Sequence, residues 1–441
     1  MYMENKMKQM KRTMVAVLLA LPWSMGGAYA QSVQNDGIAP GAVQTNAARD
    51  NWYGQVGIDL SLQNPYGCNF MHVFPDGYSF GVDVALGKWF TPEFGLRGRL
   101  NWENGIFRRG EGTWLRGFSR GYVALTGDVQ LNLHNLFGTY DPDRMWNFYV
   151  FPRAGALYNV KSRKGSPLLG FGVGSMFRLG GRWSLYADLA YQVMSAVNGM
   201  HTDTGTGNNG YFDLQVGVQM NLTNSVFHRV GDGTLPCEHA VATTSFWSNW
   251  FVQAGLGMSL LNPYGANFSH VFPNGKTLGV NLGVGKWFTP EVGLRAGLNW
   301  QNGLVGNKHL GWMDPDDAPG ENHKKGGYGA IYVDVFFDLH NIICGYEADR
   351  FWNAIVFPRT GIDSNFATGS ASPLVGVGTE QAFRLNDRLK LFVDVAYQVT
   401  TSEFMDSKSY TGTEGSNSNG WLDFNIGLQL NLGKTRFKRL R

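Results

Sequence analysis

The stretch GKWFTPEFGLRGRLNW, which runs from Gly87 to Trp102, returns as GKWFTPEVGLRAGLNW from Gly285 to Trp300. The similarity extends upstream, where WYGQVGIDLSLQNPYG, beginning at Trp52, is matched by WFVQAGLGMSLLNPYG in the second half. Downstream, LHN, FPR and DLAYQV (or DVAYQV) recur in the same order, followed by an alternating final segment. One unit is therefore present twice over nearly its full length, with insertions confined to the connections between motifs.

Each copy contains eight segments in which apolar and polar residues alternate, which is the pattern of β-strands with two different faces. In the first copy the predicted strands are 52–62, 78–90, 93–103, 118–133, 146–157, 167–179, 183–193 and 211–222. Tight turns such as Thr91-Pro92-Glu93 alternate with long polar connections at 63–77, 104–117 and 196–210. Short turns at one end and long loops at the other are typical of outer-membrane barrels.

Composition supports strands whose outer faces do not meet water. Charged residues make up 16% of the chain, against about 25% in soluble domains, while aromatic residues reach 14%. The net charge of +3 is too small to indicate a nucleic-acid partner. The three cysteines match neither a disulfide framework nor a metal motif, and we expect no cofactor and no metal.

The first residues have the features of an export signal. A basic segment is followed by an apolar run to about Trp23, and Ala28-Tyr29-Ala30 provides small residues for cleavage before Gln31. No later stretch is apolar enough for a transmembrane helix. The predicted organisation is a signal peptide (1–30), a linker (31–51), barrel copy 1 (52–222), a linker (223–249), barrel copy 2 (250–432) and a basic tail (433–441).

The faces of the predicted strands differ in composition: one is apolar, whereas the other carries the charges and many of the glycines. A soluble barrel would turn the apolar face inward. Glycine weakens a strand, so a glycine-rich polar face suits a crowded lumen better than a watery exterior, and the apolar face then meets lipid. The predicted interior charges, structural or pore-lining, are Asp59, Asp83, Arg97, Arg99, Asp128, Arg153, Arg178, Asp188, Asp213, Arg295, Asp334, Arg359, Glu380, Arg384, Asp394 and Asp423.

Proline interrupts the fifth segment of each copy. Pro152 and Pro358 cannot donate a ladder hydrogen bond, and a closed barrel has no edge strand to receive them. The sequence therefore predicts a β-bulge at this place.

The GKWFTP-E-[FV]-GLR hairpin, the LHN segment, the D-R-[MF]-WN turn and the alternating last strand together resemble the membrane-barrel half of OmpA-like outer-membrane proteins. The resemblance covers most of both copies and implies eight-stranded antiparallel up-and-down barrels with short periplasmic turns and surface loops. Members of that family commonly continue into a peptidoglycan-binding domain. No such domain follows Asn431 here, so we expect no cell-wall tether.

Two architectures satisfy the duplication: two tandem eight-stranded barrels, or one sixteen-stranded barrel. The even strand count of each copy, the near balance of interior charge and the long connection 223–249 favour two barrels. Two barrels predict a non-enzymatic protein with a structural or surface-interaction role. A single barrel predicts a porin-type channel for small solutes.

Other kinds of site are less well supported. His72 and His270 occupy matching connections without a nucleophile at fixed spacing, so we expect no enzyme. An acidic run at Asp314, Asp316, Asp317 and Glu321 lacks the ligand pattern of a calcium loop. His134 and His340 are interpreted as polar residues at strand ends, and the basic tail as solvated. The expected partners are outer-membrane lipid and surface ligands contacting the loops, with the oligomeric state left open.

Overall fold

The structure is a computed structural model. It describes residues 42–64, 78–103, 121–138, 140–160, 163–195, 208–233, 235–236, 240–243, 248–262, 276–301, 327–366, 370–401, 418–432 and 437–440. The predicted signal peptide, His72, His270 and the acidic run 314–321 lie outside these ranges. Within them, no helix has the length and apolar character needed to cross a membrane.

Sixteen long strands form two closed antiparallel barrels, and the prediction of two tandem eight-stranded barrels is confirmed. Barrel 1 consists of β1 (Trp52–Asn64), β2 (Tyr78–Trp89), β3 (Phe94–Glu103), β4 (Tyr122–Asn132), β5 (Trp146–Asn159), β6 (Lys164–Gly180), β7 (Trp183–Ser195) and β8 (Asn208–Asn221). Barrel 2 consists of β10 (Trp250–Asn262), β11 (Lys276–Trp287), β12 (Val292–Gln301), β13 (Tyr328–Asp338), β14 (Trp352–Asn365), β15 (Ser370–Arg384), β16 (Leu389–Thr401) and β17 (Ser418–Leu432). Because β8 pairs with β1 and β17 with β10, a single sixteen-stranded barrel does not form.

The predicted bulge at the prolines of β5 and β14 was wrong. In barrel 1 the β4–β5 pairing lapses between Asp128↔Arg153 and Leu131↔Val150, and it resumes in the same register. Pro152 therefore omits a ladder bond without an extra residue being inserted. The irregularity lies elsewhere, between Arg178 and Gly180 of β6, where the chain enters a tight turn.

The LHN and D-R-[MF]-WN motifs form one structure at the short-turn end of each barrel. In barrel 1, LHN begins the short helix α1 (Leu133–Phe137), capped by the Asn132 side chain, which accepts from the backbone N–H of Asn135. The Asn135 amide donates to the Pro92 carbonyl at 2.8 Å and accepts from Arg144 at 2.7 Å. The motif thus joins the β2–β3 turn to the β4–β5 connection.

Barrel 2 repeats this arrangement with α2 (Leu339–Cys344). Asn341 donates to the Pro290 carbonyl at 2.8 Å and accepts from Arg350 at 2.8 Å. Each barrel therefore uses its own copy of these motifs to connect the same two turns. Cys344 lies exposed at the end of α2.

Apolar side chains cover the outside of both barrels and are exposed there. Examples are Val56, Ile58, Val82, Val84, Leu86 and Leu125 on barrel 1, and Leu256, Leu278, Leu282, Ile331, Val377 and Ile426 on barrel 2. Inside, glycines make room for rings: a Cβ on Gly87 would overlap the Tyr53 ring, and one on Gly172 would overlap the Phe151 ring. The apolar face is outward and the glycine-bearing polar face is inward.

The two barrels touch through their outer walls. Phe94 of β3 is fully buried although it faces outward, because it stacks on Phe288 of barrel 2 at a centroid distance of 4.3 Å. Around this stack lie five pairs of equivalent positions from the two copies, namely Phe90 and Phe288, Phe94 and Val292, Leu96 and Leu294, Val129 and Val335, Leu131 and Phe337. The contact is therefore pseudo-symmetric.

The segments predicted as linkers and tail also contain ordered pairings. Strand β9 (Val241–Ala242), in the connection between the barrels, pairs with β18 (Lys438–Arg439) of the basic tail. The N–H groups of Phe227 and Phe437 donate to the Tyr140 and Tyr346 hydroxyls at 3.1 and 3.2 Å. Lys438 and Arg439 are exposed, in line with the expected solvated tail, although their backbone is paired. Each copy is thus followed by a phenylalanine docked on the turn of its own barrel.

Candidate functional site

The polar interior of barrel 1 is organised as one chain of alternating charges. In order of contact its members are Asp83, Arg99, Asp188, Arg97, Asp128, Arg153 and Asp213. The six successive N···O distances are 3.2, 2.6, 2.8, 2.7, 2.7 and 3.2 Å. Side chains from six strands meet here, and the network ties opposite walls of the barrel together. A buried charge in such a lumen is tolerable because it is paired and hydrogen-bonded.

Aromatic rings and amides fill the space around the barrel 1 guanidiniums. The Arg97 guanidinium lies 5.0 Å from the Phe151 ring centroid, within the range of a cation–π contact. The Tyr149 hydroxyl donates to Asp188 at 2.5 Å, and the Tyr186 hydroxyl contacts Asp83 at 3.0 Å. These rings occupy the room that the interior glycines leave.

Barrel 2 centres on a single arginine. Arg295 contacts Asp334 at 2.5 Å, Glu380 at 2.7 Å and Asp394 at 2.8 Å. Arg359 shares Asp334 with it, at 2.8 Å. The Arg359 guanidinium has longer contacts to Asp394 at 3.6 Å and Asp423 at 3.7 Å.

The two interiors are not copies of each other. Where barrel 1 has Gly174 paired with Tyr149, barrel 2 has Glu380 paired with Ile355. Likewise the positions of Arg99 and Thr126 in β3 and β4 are taken by Gly297 and Tyr332, and a Cβ on Gly297 would overlap the Tyr332 ring. At the first pair of positions barrel 1 has an aromatic ring and barrel 2 a charge, whereas at the second pair barrel 1 has the charge and barrel 2 the ring. Both lumens are therefore filled, but by different side chains.

Two of the predicted interior residues lie outside the network. The Arg178 side chain is 40% exposed and contacts Asp143 at 3.4 Å. Arg384 contacts Asp387 at 2.5 Å and Asp349 at 3.0 Å, both largely exposed. Arg384 is the last residue of β15 and Arg178 lies two residues before the end of β6, so although both have the inward parity, they lie at the rim and pair with turn residues. Their assignment to the interior network was wrong.

The other fourteen predicted charges are buried inside the barrels, and all but Asp59 belong to the two networks. Asp59 instead accepts from the Asn101 amide at 2.8 Å. Sequence reasoning missed three buried carboxylates among the described residues, Glu103, Asp338 and Asp363. Glu103 continues the parity of Arg97 and Arg99 to the last residue of β3, a signal that was available. Asp363, which replaces Leu157 of copy 1, lies four residues after Arg359 and has the same inward parity, so the same signal was available for it.

The two histidines of the LHN motifs have structural contacts. Nδ1 of His134 accepts from the backbone N–H of Phe148 at 3.1 Å, and Nδ1 of His340 accepts from that of Ala354 at 3.2 Å. Each imidazole also packs edge-on against a tryptophan, Trp146 or Trp352. They connect the helix to the following strand.

Two outer-membrane proteins and one solved structure are similar to parts of this chain. No family model matches the chain. The chain is 28% identical over 187 residues to Outer membrane protein 41 of Porphyromonas gingivalis, a match that covers 40% of this chain and 44% of the relative. It is 25% identical over 202 residues to Outer membrane protein 40 of the same organism, covering 44% and 49%. The chain thus spans about half the length of the curated relatives it matches. Among solved structures, Neisserial surface protein A is similar with a TM-score of 0.27 and 11% identity, over 39% of this chain and 97% of that one.

Relatives named as outer-membrane proteins and closed barrels with apolar outer walls point to the same setting. The chain is an outer-membrane β-barrel protein. Its exposed valines, leucines and isoleucines form the outer walls of the two barrels, and its ion pairs lie in the lumens that those walls enclose.

Proposed function

We propose that this protein is a non-enzymatic, non-conducting outer-membrane barrel pair with a structural or surface-interaction role resembling that of OmpA-like proteins. The observation that carries the proposal is the filling of both lumens by paired, buried charges. Arg97, Arg153, Arg295 and Arg359 have at most 1% of their side chains exposed. An eight-stranded barrel is just wide enough for its interior side chains, so a filled one leaves no aqueous channel.

A porin-type role would need a water-filled lumen in which charged side chains stay hydrated. In barrel 1, opening one would require separating Arg97 from both Asp128 and Asp188, at 2.7 and 2.8 Å. Breaking buried pairs of this kind costs several kcal/mol. The interior therefore favours stability of the wall over passage of solutes.

Planar-bilayer recording of the purified, refolded full chain tests this proposal. We expect no stepwise conductance above the lipid background, whereas a known porin treated identically gives steps. The variant Arg99→Gly, which reproduces Gly297 of barrel 2, should increase leak in barrel 1 because it removes a guanidinium that bridges two carboxylates. Regular ohmic steps in the unmodified protein would contradict the proposal.

We further propose that residues 1–30 direct export and are then removed. The support is the basic segment, the apolar run and Ala28-Tyr29-Ala30. Mass spectrometry of protein recovered from outer membranes should give a mature chain that begins at Gln31. A chain that retains residue 1, or begins far from residue 31, would contradict this assignment.

A further inference from the structure

Barrel 1 holds more buried carboxylates than its guanidiniums neutralise. The charge network already has four carboxylates for three guanidiniums, and Asp59 and Glu103 add two more. Among the described residues, neither Asp59 nor Glu103 has an arginine or lysine within ion-pair distance. The excess negative charge collects toward the ends of β1 and β3 that lead into the long connections.

Three of these carboxylates converge. One oxygen from each of Asp59, Glu103 and Asp213 lies within 4.8 Å of the other two, and all three residues are at most 4% exposed. Two oxygens on opposite sides of a Ca²⁺ ion, bound at 2.3–2.6 Å, are about 5 Å apart. Three oxygens this close together can therefore share one ion of that size. Mg²⁺ dehydrates reluctantly and usually keeps several waters, so a buried set of protein oxygens suits Ca²⁺ better.

Unpartnered buried oxygens at the same place provide a second, independent observation. The Asn101 side chain is directed into the cluster, since its amide nitrogen donates to Oδ2 of Asp59 at 2.8 Å. Its own Oδ1, and Oδ1 of Asp59, are buried without a hydrogen-bond partner. A buried acceptor without a donor is unfavourable, and a cation bound among these oxygens removes that deficit.

Barrel 2 lacks this feature at the equivalent positions. Gly257 and Gln301 replace Asp59 and Glu103, and only Asp423 remains of the three carboxylates. The Gln301 amide is satisfied, because it accepts from Thr277 at 3.0 Å and donates to Asn299 at 2.9 Å. A barrel of this design therefore folds with a neutral amide here, and the carboxylates of barrel 1 are not required by the fold.

We propose that barrel 1 binds one hard divalent cation of the Ca²⁺ type between Asp59, Glu103 and Asp213. Further oxygen ligands are within reach: Ser61 donates to Glu103 at 2.9 Å and to Asp213 at 3.2 Å. Ser79 also donates to Glu103. On binding, the hydroxyl and carboxamide oxygens turn toward the ion, which completes the six to eight oxygens that Ca²⁺ takes.

Calorimetric titration of CaCl₂ into the EDTA-treated, refolded full chain tests the proposal, with the bound metal quantified after gel filtration. The variant Glu103→Gln reproduces Gln301 of barrel 2, and the matched control Asp423→Asn removes the barrel 2 carboxylate equivalent to Asp213. We expect one Ca²⁺ per chain in the unmodified protein and the control, and at least tenfold weaker binding in Glu103→Gln. Mg²⁺ should bind more weakly than Ca²⁺.

Folding of each variant is verified by heat-modifiable migration on a gel, and Asp59→Gly, which reproduces Gly257, replaces Glu103→Gln if the latter does not fold. Absence of Ca²⁺ binding by the folded, unmodified chain would overturn the proposal and would mean that the carboxylates hold protons instead. Equal affinity in the unmodified chain and Glu103→Gln would also overturn it.

Discussion

Replacing Arg295 by alanine is expected to lower the free energy of unfolding of barrel 2 by about 3–5 kcal/mol. Its guanidinium contacts Asp334, Glu380 and Asp394 within 2.8 Å. After the substitution Arg359 still pairs with Asp334 at 2.8 Å, but its contact with Asp394 is 3.6 Å long, and Glu380 has no ion pair to another arginine among the described residues. The loss is large because the carboxylates remain buried without compensation, whereas the intact pair itself contributes much less.

Hydrogen exchange of the full chain in micelles, followed over a urea series, resolves the two barrels. Peptides from β12 and β13 should lose protection at lower urea in Arg295→Ala, while peptides from β3 and β4 remain unchanged. Arg384→Ala is the matched control, because this arginine also has the inward parity of its strand but pairs with aspartates at the rim of the barrel. Its substitution should cost about 1 kcal/mol or less. Equal effects of the two substitutions would mean that the lumen is hydrated.

The substitution Gly174→Glu, which copies Glu380 into barrel 1, is expected to destabilise that barrel by more than about 3 kcal/mol. A Cβ at Gly174 would overlap the Tyr149 ring and Oδ1 of Asp188. The new carboxylate would also add negative charge to an interior that already has an excess of it. Overpacking and an uncompensated charge therefore act together.

A second substitution tests the packing part of this effect. In barrel 2 the residue paired with Glu380 is Ile355, so Tyr149→Ile should recover part of the loss when combined with Gly174→Glu. We expect a coupling free energy of about 1–3 kcal/mol between the two positions in a double-mutant cycle, as for other residues in contact. Additive effects would show that the two interiors did not diverge by compensation at this pair.

The alternation along the strands predicted which residues point into the lumen, but not how far each side chain lies from the rim of the barrel. Arg178 and Arg384 have the same parity as Gly174 and Glu380, yet they stand at strand ends where the barrel opens. Glu103 is the opposite case, since the parity extends to it and the lumen still encloses it. The depth of a side chain depends on how far its strand stays paired within the closed barrel. That extent is set by pairings between strands that are distant in the sequence.

Other differences arise from local geometry that a two-residue period does not contain. Asn132 and Asp338 cap helices, which turns the predicted strand end at LHN into a helical turn. Pro152 fits the ladder without a bulge because its neighbours keep their register. The candidate cation cluster joins β1, β3 and β8, and the contact between β3 and β8 residues could not be seen from spacing along one strand.

The pseudo-symmetric contact around Phe94 and Phe288 has the isologous geometry of a two-fold dimer, in which each surface meets its own equivalent. Joining the two copies in one chain makes their association intramolecular, so it no longer depends on how many chains the membrane holds. It also fixes a one-to-one stoichiometry between partners that are not identical. Under that constraint the interior of one copy can change without altering the contact between the barrels, and the two interiors of this chain do differ, with Arg99 and Glu103 in one and Gly297 and Gln301 in the other.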